Sequence, residues 1–166
     1  ELGLDRDAVA RGLAEFRGVG RRLEIVGRPR GIPVIDDYAH HPTEVACGIR
    51  TLRDEYAPRR LWVVFQPHQY SRLRRFLKEF AGALTDADCV VVPEIYAARD
   101  AEEDRLAVRP DDLVEEILSR GGNAVHIPDF TAIVDFVRTQ AKAGDVVVTM
   151  GAGDVGDVAG RLAATV

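Results

Sequence analysis

Short apolar segments alternate with amphipathic segments of helical length from residue 32 onward, and this alternation limits the possible fold more than any other feature. Strand-like segments cover residues 32–35, 61–65, 89–92, 124–127 and 145–150, after a first short one at 23–26. Helical segments cover residues 42–56, 72–84, 110–119, 130–141 and 155–164. Uninterrupted apolar runs such as 61–65 are typical of strands covered on both faces. The pattern predicts an α/β fold, a Rossmann-like three-layer domain with a mainly parallel sheet of about six strands and helices on both faces.

Two further regions are predicted less regularly. Residues 5–16 form an amphipathic pattern with Asp5 as a candidate N-cap, and a turn at residues 28–31 joins the first two strands into a hairpin. Residues 97–108 are charged and irregular, which indicates a loop. We expect a single domain, because 166 residues suffice for a sizeable core.

Charge and composition exclude several classes of function. The net charge of -5 argues against nucleic acid or an anionic membrane as a partner, and no apolar run approaches the roughly 18 residues of a membrane span. The first residues lack the features of a signal peptide, and the missing initiator Met suggests a fragment of a longer chain. Cys47 and Cys89 have no metal-type spacing, so we expect both to be buried reduced thiols in a reducing compartment, the cytoplasm.

Ionisable and aromatic residues collect where four of the predicted strands end. They lie in residues 36–44 (Asp-Asp-Tyr-Ala-His-His-Pro-Thr-Glu), 66–72 (Gln-Pro-His-Gln-Tyr-Ser-Arg), 93–99 and 151–156. The carboxyl ends of parallel strands meet at one edge of a sheet, and ligands of open α/β sheets bind in the crevice outside that edge. We therefore predict a single site there, which would contain three of the four histidines. His126 lies within a strand and is interpreted as a structural or surface residue.

The segment after the second strand is the richest in ionisable side chains. It places Asp36, Asp37, Tyr38, His40 and His41 within six positions, a density that packing does not require. Adjacent histidines point in different directions, so one of the two is free to cap a helix or to pack. Carboxylates and imidazoles are possible metal ligands, but their spacing here is not diagnostic, and we predict no metal site.

His68 and Arg72 are spaced i and i+4, so they share a face if the helix begins early. An imidazole beside a guanidinium suits a carboxylate or a phosphate. The alternative is a solvated helix start. Arg21 follows a glycine-rich turn, and spacing alone favours neither an anion contact nor a solvated side chain.

Residues 151–156 match the dinucleotide-binding pattern G-x-G-x-x-G between a strand and a helix. Only ten residues follow Gly156, so the acid expected about 20 residues further on for the ribose has no place. This argues against a nicotinamide-dependent oxidoreductase. A tight turn for close packing is the preferred interpretation, and a phosphate at the helix N-terminus stays open.

Taken together, these segments closely resemble the Mur ligase family, ATP-dependent ligases of peptidoglycan precursor synthesis. The matching segments are residues 20–22, 36–44, 65–68, 70–72, 94–99 and 151–154. The resemblance implies that residues 1–166 form the C-terminal domain, without the UDP-binding N-terminal domain and the central ATPase domain. Consistent with this, the sequence contains no Gly-x-x-x-x-Gly-Lys-[Ser/Thr] phosphate loop. One departure is Gln69, where many members have Arg.

The resemblance implies that the complete enzyme joins L-alanine to UDP-N-acetylmuramate in the bacterial cytoplasm. ATP and Mg²⁺ would be bound mainly by the central domain, over which this domain closes, and the isolated domain would be inactive. The implied nucleotide-binding residues are Asp36 or Asp37 at the ribose hydroxyls, with Tyr38, His40 and His41 nearby. The implied catalytic and substrate-binding residues are His68 and Arg72 at the amino acid carboxylate, with Tyr96 and Arg21 as further substrate-binding residues.

Two alternative functions are also compatible with parts of the sequence. The related ligase that recycles murein tripeptide shares a similar Asp-Asp-x-Ala-His-His-Pro but lacks the segment matched by residues 65–72. A stand-alone nucleotide- or anion-binding module would not need the segment 36–42 together with His68 and Arg72.

Overall fold

The computed structural model describes residues 3, 5–16 and 18–164; residues 1, 2, 4, 17, 165 and 166 lie outside the described part. The strands are β1 (Glu24–Gly27), β2 (Val34–Asp37), β3 (Leu61–Phe65), β4 (Cys89–Val92), β5 (Ala124–His126) and β6 (Val146–Met150). The helices are α1 (Arg6–Glu15), α2 (Pro42–Tyr56), α3 (Tyr70–Leu84), α4 (Glu102–Ala107), α5 (Pro110–Ser119), α6 (Phe130–Gln140) and α7 (Gly156–Ala163). A 3₁₀ turn, Pro29–Gly31, connects β1 to β2.

The six strands form one sheet in the order β1-β2-β6-β3-β4-β5. Strand β1 pairs antiparallel with β2, as the predicted hairpin requires, and the remaining pairs are parallel. The predicted α/β architecture is therefore confirmed. Strand β6 lies in the middle of the sheet although it is the last in the chain.

Alternating side chains divide the core into two layers. From β3, Leu61, Val63 and Phe65 join the layer beneath α2, α3 and α5. Trp62 and Val64 join the opposite layer, beneath α6 and α7. Helices thus cover both faces, and each fully buried large apolar side chain contributes about 1.5–3 kcal/mol to folding.

The structure differs from the sequence predictions in several places. Helix α3 begins at Tyr70, two residues before the predicted start. The second strand lies two residues later than predicted, so that Asp36 and Asp37 are its last residues. The predicted loop 97–108 contains α4, a short acidic helix that an ion pair between Arg74 and Asp104 ties to α3. The expectation of buried thiols is wrong for Cys47, because it lies on the outer side of α2, and Cys89 is only half-buried.

Candidate functional site

The carboxyl ends of β2, β6, β3 and β4 form one edge of the sheet, which we call the rim. The segments after these four parallel strands meet there, as the sequence predicts. Direct contacts join them: the rings of His40 and His68 lie 6.1 Å apart, and the rings of His68 and Tyr96 stack at 5.4 Å. The predicted residues of three segments therefore share one surface.

Asp36 and Asp37 end the same strand but point to opposite faces of the sheet. The Oδ2 atom of Asp36 accepts a hydrogen bond from Arg21 Nε at 2.7 Å, and its Oδ1 atom accepts one from the Thr149 hydroxyl at 2.7 Å. Both carboxylate oxygens of Asp36 thus have protein partners. Asp37 lies on the α2 side, beside Gly48.

Asp37 is buried with few donors around it. Its Oδ1 atom accepts a hydrogen bond from the Ala39 N–H at 2.9 Å. Burial raises the pKa of Asp37, although the Ala39 hydrogen bond and the charge of Arg22 oppose this rise. The side chain lines a small open cavity of 260 Å³ together with Arg22, Glu44 and Thr51. A carboxylate held in this way has remaining capacity to accept hydrogen bonds from a ligand.

The two adjacent histidines have different tasks. His41 caps α2, since its Nδ1 atom accepts a hydrogen bond from the Thr43 N–H, and its ring packs on Phe76. His40 faces the rim, and its Nδ1 atom lies 2.9 Å from the Tyr38 carbonyl oxygen. Because a carbonyl only accepts, Nδ1 carries the proton.

Glu44 organises the backbone of this loop. Its carboxylate accepts hydrogen bonds from the N–H groups of His40 and His41. Burial alone would raise the pKa of Glu44, but these bonds and the charges of His40 and Arg22 lower it. Sequence reasoning recognised Glu44 only as a first-turn acid of the helix.

His68 and Arg72 form the direct contact that their spacing predicts. Arg72 Nη1 lies 3.3 Å from His68 Nδ1. A guanidinium can only donate, so Nδ1 accepts, and the proton of the neutral ring is on Nε2. Burial lowers the pKa of His68, and the charges of Arg72 and His40 lower it further. The Nε2–H of His68 and the N–H groups of Arg72 that do not face His68 therefore keep the capacity to donate to an anion.

Arg21 closes the rim on the other face of the sheet. Besides its ion pair with Asp36, it donates from Nη1 to the Gly153 carbonyl at 3.1 Å and from Nη2 to the Gly151 carbonyl at 2.8 Å. Its guanidinium also lies over the Tyr38 ring. Arg21 thus ties the glycine loop to the end of β2.

The glycine loop packs closely against its neighbours. A Cβ atom at Gly153 would clash with Gln66 Oε1 and lie 2.6 Å from the Tyr96 ring, and one at Gly156 would lie 2.9 Å from Asp36. Gln66, which sequence reasoning did not single out, donates to Asp154 and accepts from the Val155 N–H. The preferred interpretation of the G-x-G-x-x-G match, a tight turn for close packing, agrees with these contacts.

The described residues contain neither a metal-type cluster nor a membrane-spanning helix. No group of three or more His, Cys, Asp or Glu side chains among them is arranged to hold a metal ion. No helix within the described part is long and apolar enough to cross a membrane. The fourth histidine, His126, is the last residue of β5 and lies between Glu94 and Asp111.

Comparison with known proteins assigns the chain to a family. The profile of the "Mur ligase, glutamate ligase domain" matches residues 21–153. The chain belongs to the Mur ligase family. The matched part begins at Arg21 and ends at Gly153, the two residues that the guanidinium contact joins across the rim.

Several Mur ligases are similar over nearly the whole chain. The UDP-N-acetylmuramate–L-alanine ligase of Mycobacterium sp. (strain JLS) is 48% identical over 93% of the chain. The crystal structure of the UDP-N-acetylmuramate–alanine ligase from Thermotoga maritima superposes on 97% of the chain with a TM-score of 0.74 at 30% identity. A murein peptide ligase from Psychrobacter arcticus superposes on 96% with a TM-score of 0.70 at 26% identity.

The chain is much shorter than these proteins. It spans 32% of the Mycobacterium sequence, 33% of the Thermotoga chain and 32% of the Psychrobacter chain. Its architecture is that of a Mur ligase C-terminal domain.

Proposed function

We propose that this chain is the C-terminal domain of an ATP-dependent ligase that joins L-alanine to UDP-N-acetylmuramate in peptidoglycan synthesis. The observation that carries the proposal is the His68–Arg72 pair, which presents N–H donors to an anion on the rim next to the Asp37 loop. The names of the relatives at 41–48% identity support the same activity.

The pair binds the carboxylate of the incoming amino acid. The Arg72 guanidinium supplies charge-assisted hydrogen bonds, and the Nε2–H of His68 supplies a further one. Stacking on Tyr96 holds the imidazole ring in place. These residues act by orienting the amine of L-alanine, since catalysis by positioning requires the reacting atoms to be held in contact.

The nucleotide lies against the loop after β2. Asp37 is the better candidate for the ribose hydroxyls, because Asp36 already accepts hydrogen bonds from Arg21 and Thr149. Tyr38 and His40 lie at the exposed side of this loop and flank the nucleotide. His41 acts indirectly, by capping α2.

The reaction follows from the chemistry of the substrates. A carboxylate oxygen of UDP-N-acetylmuramate attacks the γ-phosphorus of ATP, and ADP leaves. The amine of L-alanine then attacks the acyl carbon, the bond to phosphate breaks, and the amine loses a proton as the amide forms. This chain contributes the surface that orients the amine.

The divalent ion and most of the ATP contacts belong to another domain. The described residues offer no set of metal ligands, so the proposal assigns no Mg²⁺ ligand to this chain. The sequence also lacks a phosphate loop, and the chain spans about a third of the length of its relatives. Alone, it does not catalyse ligation.

The test replaces Arg72 by Ala in the complete ligase that carries this sequence. Losing a charge-assisted hydrogen bond to a carboxylate raises the KM for L-alanine about 10- to 100-fold, with little change in the KM for ATP. Steady-state kinetics with each substrate varied in turn measures both constants.

Arg74→Ala is the matched control, because Arg74 lies on the same helix but pairs with Asp104 at the surface. It should leave both constants unchanged. Equal losses for ATP and L-alanine in Arg72→Ala would exclude the carboxylate role, and use of murein tripeptide in place of L-alanine would favour the recycling ligase.

A further inference from the structure

Helix α3, which carries Arg72, begins without a cap of its own. Gln69 occupies the N-cap position with a φ of 73°, and its side chain makes no capping hydrogen bond to the residues that the structure describes. The usual capping residues are Ser, Thr, Asp and Asn. Arg72 is also a cation in the first turn, where the helix dipole disfavours positive charge. The start of α3 therefore needs stabilisation from elsewhere.

Asp100, from the loop after β4, supplies this stabilisation. Its Oδ1 atom accepts hydrogen bonds from the Ser71 N–H at 3.1 Å and from the Ser71 hydroxyl at 3.0 Å. Burial alone would raise the pKa of Asp100, but these bonds, with those from the N–H groups of Tyr70 and Ala98, lower it. An ionised carboxylate is thus held at the N-terminus of α3.

The same two segments are joined again closer to the rim. The Tyr96 N–H donates to the Pro67 carbonyl at 2.9 Å, and the Gln69 N–H donates to the Tyr96 carbonyl at 3.0 Å. The stacked rings of His68 and Tyr96 add a side-chain contact between the same two segments. Residues 67–72 are consequently fixed along their length by residues 96–100.

We propose that Asp100 is a positioning residue: it caps α3 from a distant loop and so fixes the geometry of the His68–Arg72 pair for the amino acid carboxylate. This inference rests on the proposed function for its kinetic consequence. Its structural part, the dependence of the start of α3 on Asp100, is independent of any substrate.

The first experiment is made on this chain by NMR, with Asp100→Ala and Asp100→Glu. The Ser71 amide should exchange with solvent about 5- to 10-fold faster in Asp100→Ala than in the wild type, since capping interactions have about this worth. The Asp100 charge also raises the pKa of His68, so Asp100→Ala should shift the titration of that ring to lower pH. Asp100→Glu keeps the charge and an acceptor, and should restore most of both values.

The second experiment measures kinetics of the complete ligase. Asp100→Ala should raise the KM for L-alanine about 5- to 10-fold and change the KM for ATP less than about twofold. Asp104→Ala is the control, because it removes a carboxylate from α4 that pairs at the surface with Arg74. It should have no effect on either constant.

The outcomes separate the two proposals. The positioning role would be refuted if Asp100→Ala left the exchange rate of the Ser71 amide unchanged. It would also be refuted if Asp100→Glu changed that rate and the His68 titration as much as Asp100→Ala does. If Asp100→Ala loses its native circular dichroism spectrum, the comparison of Asp100→Glu with the wild type decides. If Asp100→Ala changes the NMR values but neither Asp100→Ala nor Arg72→Ala alters the KM for L-alanine, the capping role of Asp100 is supported. The proposed function is then refuted.

Discussion

Two buried aspartates, one at each end of the sheet, have pKa values that are shifted in opposite directions. Asp145 precedes β6 at the amino end, with a fully buried side chain, and Asp37 ends β2 at the rim. The pKa of Asp145 is lowered to about 2, whereas burial raises the pKa of Asp37.

The difference lies in the number of donors. Burial alone would raise the pKa of Asp145 as well, but its carboxylate accepts hydrogen bonds from Arg60, from the Trp62 indole at 3.1 Å and from the Lys142 N–H at 3.0 Å. Arg59 adds an ion pair at 2.9 Å. Asp37 has the Ala39 N–H and the more distant charge of Arg22. The hydrogen bonds of Asp145 thus stabilise the amino end of the sheet, whereas Asp37 at the rim keeps the capacity to accept further hydrogen bonds.

The largest effect is expected at the amino end. Asp145→Ala removes the carboxylate to which Arg60 and Trp62 both donate and should lower the free energy of unfolding by about 2–4 kcal/mol at pH 7. Because the folded pKa lies below the ordinary value of 3.8, this contribution is present above pH 3.8 and is lost as the pH falls through about 2. Urea unfolding at several pH values measures both.

Glu116→Ala is the control, since it breaks an ion pair with Arg120 at the surface of α5. It should lower stability by less than about 0.5 kcal/mol. A loss as small as this in Asp145→Ala would contradict the contrast between the two ends.

At the rim, the corresponding change should act in the opposite direction. Asp37→Asn keeps an acceptor for the Ala39 N–H and removes a poorly compensated buried charge, so stability at pH 7 should rise by about 0.5–1 kcal/mol. Because the folded pKa is raised, ionising Asp37 destabilises the folded state as the pH rises above the ordinary value of 3.8, so the gain should vanish near pH 3.

Asp36→Asn tests whether this gain is specific to Asp37. The neighbouring side chain is paired with Arg21 and Thr149, so the same substitution should lower stability by about 1–2 kcal/mol. Unfolding curves that show both variants destabilised would mean that Asp37 is as well compensated as Asp36.

The smallest effect concerns His68. Its ring should titrate below the ordinary value of 6.5, and Arg72→Ala should move the titration upward because a nearby cation is removed. The neutral ring is favoured in the folded state, so its contribution to stability is present above pH 6.5 and declines as the pH falls through the lower folded pKa. NMR titration of the ring protons gives the value, and a midpoint above 6.5 would contradict the prediction.

The sequence predicted those features that depend on local patterns. The alternation of strands and helices predicted the fold class. The residues after four strand ends predicted the rim, because the carboxyl ends of parallel strands lie at one edge of the sheet. Short α4 was missed, since its six residues lack an apolar stripe and its Arg74–Asp104 contact is tertiary.

Features that depend on distant partners were out of reach of pattern reasoning. Nothing local distinguishes Asp36 from Asp37 until the strand boundary and its two faces are known. Likewise, the Asp100–Ser71 contact joins residues 29 positions apart, and no spacing rule indicates it. The family resemblance is confirmed, whereas the individual roles of Asp37, His68 and Arg72 stay predictions.

The position of β6 between β2 and β3 affects how the protein is made. During synthesis, the loops carrying Asp37 and His68 leave the ribosome long before residues 146–150, yet the strands beneath these loops are joined only through β6. Contacts between segments so far apart in sequence close late and slow folding. The sheet beneath the rim is therefore completed only when β6 is inserted, and the rim reaches its final geometry late in folding.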